Sequence, residues 1–339
     1  MTSIRMGLIG LGRMGGRIAQ IARQKGIQVV TALDPDPQPY AWGNSPWLAD
    51  VTTADPQVFW SHPVDVIAIS STAPSHAPFL EEGVRRGCRR FLVEKPFATG
   101  LDEGIRALAM AEAAGARVVV NHGRRYSSNY QSLKQLDGSP EFGSLRSIVF
   151  TMGGGWFGCM GVHYFDLFNW FFGGQPERVC AALTQPQAPN PRGAMFDDPG
   201  GAALLLYSNG RRAHIDLADD MGMPYRLEFF YTYGRVTVED DSQPFRLFHR
   251  RPEDRALPMT RQDMPLIERT LDGFTPQDTM PWTAAALDDV LSDAPLICGG
   301  DKGVDSLEVF AAIRWAAKNG GIASLPLPLE AAAERYAIP

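Results

Sequence analysis

The chain has 339 residues, 45% of them hydrophobic and 21% charged, with a formal net charge of −6. That length allows two domains with well-filled cores. The acidic balance excludes nucleic-acid binding as the main task, because Arg250-Arg251 and its neighbours form only a small basic patch. Cys88, Cys159, Cys180 and Cys298 are scattered without metal-site spacing and read as reduced thiols, which predicts a cytoplasmic protein holding no metal. Met1 to Arg5 enters strand character at once, so no signal peptide is expected, and no run of eighteen apolar residues offers a membrane span.

Ile4 to Ile9 is a short apolar run leading into Gly10-Leu11-Gly12-Arg13-Met14-Gly15, and a helical pattern continues through Ile18, Ile21 and Ala22. In such a motif the first glycine makes a tight turn. The second lets a pyrophosphate approach the backbone, and the third lets helix and strand pack closely. Phosphates then meet free N–H groups at the helix start. A second strand, Ile27 to Leu33, ends on Asp34, whose carboxylate suits the two hydroxyls of an adenosine ribose. It would also repel a 2′-phosphate, and Pro35-Asp36-Pro37 supplies no arginine to offset that. The expected cofactor is NAD(H), with NADP(H) disfavoured. Taken singly, the glycines also read as an ordinary turn and Asp34 as an acid before a proline.

Residues 35 to 60 read as an irregular excursion with a short helix from Pro56 to Trp60. Val64 to Ile69 is the next strand, and it runs into the polar loop Ser70-Ser71-Thr72-Ala73-Pro74-Ser75-His76. A helix from His76 to Arg86, a strand from Phe91 to Val93, a helix from Leu101 to Ala114 and a strand from Arg117 to Val120 follow. The Leu101 helix is expected to bury Ile105, Leu108 and Ala109. This alternation predicts a doubly wound parallel sheet covered on both faces. Lys95 stands at the end of the Phe91 strand, just before Pro96, where an open α/β sheet places ligands. In isolation it reads equally as a solvated loop lysine.

Beyond Asn121 the pattern turns mainly to strands, at Leu145–Met152, Arg178–Leu183, Gly201–Tyr207, Ala213–Leu217, Arg226–Tyr233, Arg235–Val238 and Phe245–His249. Tight reversals at Ser208-Asn209-Gly210 and Tyr233-Gly234 predict a largely antiparallel, open sheet. Helices are expected near Pro276–Leu291 and Val304–Lys318. The domains expected are 1–122 for the dinucleotide and 123–339 for substrate binding and oligomerisation. Within the latter, a helix beginning near Cys159 to Val162 places Cys159, His163 and Asp166 on one face. Such a histidine takes or gives a proton near neutral pH, although local hydrogen bonding is the plainer role. A metal site on these three residues would lack a fourth ligand.

These pieces together resemble the glucose-fructose oxidoreductase / inositol dehydrogenase (Gfo/Idh/MocA) family along essentially the whole chain. The resemblance rests on the glycine motif at 10–15, Asp34, the 71–77 loop, Glu94-Lys95-Pro96, Arg125-Tyr126, Gly161-Val162-His163-Tyr164-Phe165-Asp166 and the helix at 305–313. It implies a Rossmann-type domain followed by an α/β domain with a large open sheet, and a homodimer or homotetramer assembled through that sheet.

It further implies hydride transfer between NAD and a secondary alcohol of a sugar, cyclitol or related polyol, with Lys95 and His163 catalytic. Either could act as the base. Gly10, Gly12, Arg13, Met14, Gly15 and Asp34 would hold the cofactor, with Ser71, Thr72, Pro74, His76, Glu94 and Lys95 bordering its nicotinamide end. Arg125, Trp156, Cys159 and Tyr164 are the substrate-side candidates. The family usually carries an acid where this chain has Cys159, and a thiol does not replace a carboxylate. That departure leaves open a lyase, epimerase or glycoside-cleaving enzyme using bound NAD transiently, and a non-catalytic nucleotide-binding protein.

Overall fold

Parallel strands bond through evenly spaced, slanted hydrogen bonds, so strands in one register end at one level. A computed structural model of the chain describes residues 3–258 and 264–339. Met1 and Thr2, with which the expected first strand was approached, lie outside the described residues.

In chain order the elements are β1 (Arg5–Ile9), α1 (Arg13–Gln24), β2 (Gln28–Leu33), β3 (Thr52–Thr53), α2 (Pro56–Trp60), β4 (Val66–Ile69), α3 (His76–Arg85), β5 (Arg90–Val93), α4 (Leu101–Ala113) and β6 (Arg117–Val120). They continue with α5 (Ser128–Lys134), β7 (Leu145–Gly153), α6 (Val162–Phe172), β8 (Arg178–Leu183), β9 (Gly201–Leu206), β10 (Arg212–Ala218), β11 (Arg226–Tyr231), β12 (Gly234–Val238), β13 (Arg246–Arg250) and β14 (Leu266–Thr270). The last are α7 (Thr279–Leu291), α8 (Gly300–Lys318), β15 (Ile322–Ser324) and α9 (Leu329–Ala332).

Two compact units result. One comprises Met1–Gly123, Thr279–Leu307 and Ala332–Pro339; the other comprises Arg124–Asp278 and Glu308–Ala331. The expected continuous domain 123–339 is therefore corrected. The chain returns to the first unit because Thr279–Leu307 bonds to its strand ends. Asn121 donates to Thr283 Oγ1 at 3.2 Å, Val120 N–H donates to Cys298 O at 3.0 Å, and Lys25 pairs with Asp288 at 2.8 Å. The tail follows, with Tyr336 N–H donating to Thr99 O at 2.9 Å.

The first unit holds a six-stranded parallel sheet in the order β3-β2-β1-β4-β5-β6. β4, the last three residues of β5 and those of β6 are almost wholly buried, as a sheet covered on both faces requires. The expected inner face of α4 is wrong in phase. Leu101, Gly104, Ala107 and Ala111 are buried, while Ile105 is 49% exposed. Small residues let α4 lie close, and Gly104 faces Phe97 and Leu307.

The second unit holds a nine-stranded sheet in the order β14-β13-β12-β11-β7-β10-β9-β8-β15. Only β7 and β10 pair in parallel; the other neighbours are antiparallel. One face is apolar and packs on α6, with Tyr164 stacked on Phe150 at 3.7 Å and Phe171 against Phe229 at 4.9 Å. On the open face the register sets Ala182, Ala202, Asp216 and Thr151 in one cross-strand row, and Cys180, Leu204, His214 and Val149 in the next. These rows border a shallow hollow of about 460 Å³.

An ion pair anchors α6. Arg125 and Asp166 meet at 2.8 Å with side chains 7% and 3% exposed, and Arg125 Nε lies within 2.9 Å of both carboxylate oxygens. A bidentate guanidinium satisfies a buried carboxylate well, whereas removing one partner strands the other charge. Asp166→Ala is expected to destabilise the protein by roughly 3–5 kcal/mol, read from the denaturant midpoint at constant slope.

Candidate active site

In the first unit the glycine loop leaves β1 and starts α1. Gly10 has a φ of 84°, and a Cβ there would clash with Ser71 N and lie 2.6 Å from Ser70 C. A Cβ on Gly15 would run into Gly10 O, so both positions demand glycine for lack of room. Gly12 caps α1 without a side-chain hydrogen bond and has open space where a Cβ would project. The main-chain N–H groups at this helix start therefore present an open cradle for a pyrophosphate. Asp34 stands beside it, accepting N–H bonds from Leu11 at 2.6 Å and Asp36 at 2.9 Å, which fixes the carboxylate against the loop. Arg13 is exposed over the Tyr40 ring, and Met14 accepts a contact from Arg17 at 3.2 Å. The glycine cradle and Asp34 fit a dinucleotide.

In the 70–76 loop, Thr72 and Pro74 are exposed, while the Ser71 and Ser75 hydroxyls meet at 2.6 Å. His76 departs from its expected role. It is 1% exposed, with Nδ1 at 2.7 Å from Pro96 O and Nε2 at 3.0 Å from Ser71 O. Burial holds its pKa down against the pull of those two carbonyls. The imidazole pins the loop to the Lys95–Pro96 turn, so it is a brace and not a cofactor contact.

Lys95 is half-buried at the end of β5, beside the buried Glu94. Asn121 Nδ2 donates to Glu94 Oε1 at 2.6 Å and bridges to Thr283 on α7. Burial pushes the Glu94 carboxyl above the usual range, against the pull of Lys95 and Asn121. Sequence reading did not single out Asn121 or Thr283; the one signal was the position of Asn121 directly after a buried strand.

In the second unit the stretch before α6 opens with a π-helical turn, Phe157–Gly161, entered from the half-buried Trp156. Cys159 is 6% exposed and His163, one turn on, is half-buried. Asp166 turns to Arg125, so the helix face expected to gather Cys159, His163 and Asp166 serves a salt bridge at its far end. That also commits Arg125, expected at a substrate wall, to the interior of its unit.

Tyr164, likewise expected at the wall, is fully buried. Arg124 lies 4.5 Å over its ring and donates to its hydroxyl at 3.2 Å. Burial raises the Tyr164 pKa to about 12. Arg124 also pairs with Asp241 at 2.9 Å, and Tyr130 donates to the same carboxylate at 2.7 Å. A further carboxylate comes from Asp198, 3% exposed, whose two oxygens accept the N–H groups of Gly158 at 2.6 Å and Cys159 at 2.7 Å. Its sequence signal was faint: an acidic pair, Asp197-Asp198, in a Pro- and Gly-rich loop.

The family profile described as "Oxidoreductase family, NAD-binding Rossmann fold" matches residues 4–122, and that of the "GFO/IDH/MocA C-terminal domain" matches residues 130–237. The chain belongs to the Gfo/Idh/MocA family. It is an NAD-binding oxidoreductase, a dehydrogenase by kind, with NAD as its cofactor.

Among relatives, an uncharacterized oxidoreductase of Bacillus subtilis, YrbE, is 26% identical over 70% of this chain and 74% of its own. Inositol 2-dehydrogenase 3 of Saccharopolyspora erythraea is 26% identical over 63% of this chain and 66% of its own. A crystal structure of an oxidoreductase from Agrobacterium radiobacter, in complex with NAD+, L-tartaric acid and magnesium, superposes with a TM-score of 0.76 at 17% identity, covering 95% of this chain and 98% of that one. That likeness carries the fold. Among the described residues, no helix is long and apolar enough to cross a membrane.

Glu94 gives the first unit a pH signature. A folded pKa above the unfolded value means the folded state holds the proton more tightly. Stability is then full at pH below the unfolded carboxyl pKa and is lost as pH rises through the raised one. Glu94→Gln is expected to raise the melting temperature at pH 7 and to leave it unchanged near pH 4; thermal melts across that range decide it.

Proposed function

We propose that the protein oxidises a secondary alcohol of a sugar, cyclitol or related polyol, reversibly and with NAD. The observation that carries this reading is the open glycine cradle with Asp34 fixed beside it, in a family of oxidoreductases that includes an inositol dehydrogenase relative. Gly10, Gly12, Gly15 and Asp34 would hold the dinucleotide, whose pyrophosphate meets the α1 N–H groups. Asp34 would accept the adenosine ribose hydroxyls, which favours NAD over NADP. Bound NAD+ supplies the hydride acceptor.

His163 would take the hydroxyl proton, as a half-buried imidazole suits near neutral pH. The Lys95 ammonium would stabilise the alkoxide-like oxygen as charge develops there. Glu94, held by Asn121 and Thr283, would set the position of Lys95 from behind. Trp156 is the aromatic candidate to face the apolar side of a sugar ring.

A panel of polyols and sugars followed at the NADH absorbance tests the reaction. Lys95→Ala and His163→Ala are each expected to lower kcat by about 10²-fold or more while NAD(H) binding persists. Normal turnover in both variants removes the mechanism. Substrate conversion without NADH accumulation would instead assign transient oxidation.

The partner is expected to be a second copy of the chain. The small residues Ala182 and Ala202 at the centre of the open sheet face, flanked by Thr151, Leu204 and His214, favour close approach of another sheet. Ala202→Arg is expected to shift the particle to monomer in light scattering coupled to size exclusion; an unchanged mass would exclude this face.

A further inference from the structure

We propose that Asp198 is a positioning residue that supports the imidazolium of His163, a role that rests on the proposed proton transfer to that histidine. Its carboxylate is held at the turn that launches α6. Gly158 N–H and Cys159 N–H donate to its two oxygens at 2.6 and 2.7 Å, and the residue is 3% exposed. His163 stands four residues after Cys159. Helical side chains lean toward the amino terminus, so its ring projects back over the turn that carries Asp198. The separation is about one helical turn, roughly 6 Å along the axis. Across partly buried protein, charges at that range interact strongly.

The other charged groups of this helix and its surroundings are already matched. Asp166 is bridged by Arg125, and Asp241 by Arg124. Asp197, the neighbour of Asp198, pairs with Arg314 at 2.9 Å. Tyr164 stays a neutral phenol, its pKa raised to about 12, and Cys159 contributes a thiol. Asp198 is met instead by main-chain N–H groups, which favour the ionised carboxylate without adding a compensating cation. When the hydroxyl proton passes to His163, Asp198 takes no proton. Its negative charge offsets the new positive charge on the ring, which makes the histidine a stronger base. A carboxylate thus reaches the turn of Cys159 from 39 residues downstream.

The test separates charge from capping. In full-length protein with isotope-labelled histidine, the His163 resonances are identified by their loss in His163→Gln and titrated by NMR. Asp198→Asn is expected to move the His163 midpoint to lower pH. Asp198→Ser, whose hydroxyl still accepts a helix-start N–H, is expected to move it equally, so a folding defect in one variant leaves the other to decide. Placing an acid one turn before the histidine, in Asp198→Asn combined with Cys159→Asp, is expected to move the midpoint back up. On any substrate the panel identifies, kcat is expected to fall on the order of 10-fold to 100-fold in Asp198→Asn, with its pH profile displaced and the KM for NAD unchanged.

An unchanged His163 midpoint in both single variants, with only the melting temperature lowered, would make Asp198 a helix cap and overturn the proposal. The titration needs no turnover, so it stands or falls apart from the substrate assignment. A moved midpoint with no polyol oxidised would leave the charge coupling intact and remove the dehydrogenase reading.

Discussion

Four main-chain hydrogen bonds bring the parallel strands of the first unit to a common end. Gly10 N–H donates to Leu33 O, Ser70 N–H to Ile9 O, Glu94 N–H to Ile69 O and Asn121 N–H to Val93 O, all within 2.7 to 3.0 Å. The register that follows, Leu33 beside Ile9, then Ile69, Val93 and Val120, makes Asp34, Gly10, Ser70, Glu94 and Asn121 neighbours across the sheet. A shift of one strand by a single residue would separate the glycine loop from Asp34 or Glu94 from Asn121, and would turn buried side chains to the other face. The chemistry of this unit is therefore a property of strand ends, assembled by pairing between segments that are far apart in sequence.

That dependence explains what could be read from the sequence. β4, β5 and β6 are runs of Val, Ile, Leu and Phe, whose burial on both faces leaves little ambiguity, and the loops at their ends carried the glycines, Asp34 and Lys95. The inner face of α4 was harder to read, because glycine and alanine make the contact while the larger Ile105 points outward. β14 escaped notice because Leu-Ile-Glu-Arg-Thr is an exposed edge strand with little apolar alternation. The return of Thr279–Leu307 to the first unit leaves no mark in composition. Arg125 meeting Asp166, Asn121 meeting Thr283 and Asp198 meeting Cys159 N–H are contacts between residues tens to more than a hundred positions apart, and residue type alone does not specify them. For the same reason Arg125, Tyr164 and His76 looked like ligand contacts until their partners were visible.

The second unit buries charge where a plain hydrophobic core would cost less. Replacing such pairs with apolar residues is often neutral or stabilising, so their value lies in orientation as much as in energy. Arg124 and Arg125, consecutive in sequence, point to different carboxylates. One is bound by Asp166 on α6, and the other by Asp241 beside three tyrosine rings. Together they fix the rotation of α6 about its axis, and with it the direction in which His163 leaves the helix.

The nine-stranded sheet ends at both edges in strands poorly suited to growth. β15 has three residues. β14 bears Glu268 and Arg269, each in an ion pair, Arg246 with Glu268 at 2.7 Å and Arg269 with Glu141 at 2.8 Å. Short or charged edges discourage a neighbouring chain from adding its own strand, the route by which open sheets run into fibres. A molecule that keeps one broad sheet face uncovered is thereby steered away from open-ended, edge-to-edge polymerisation and toward closed assemblies built face to face.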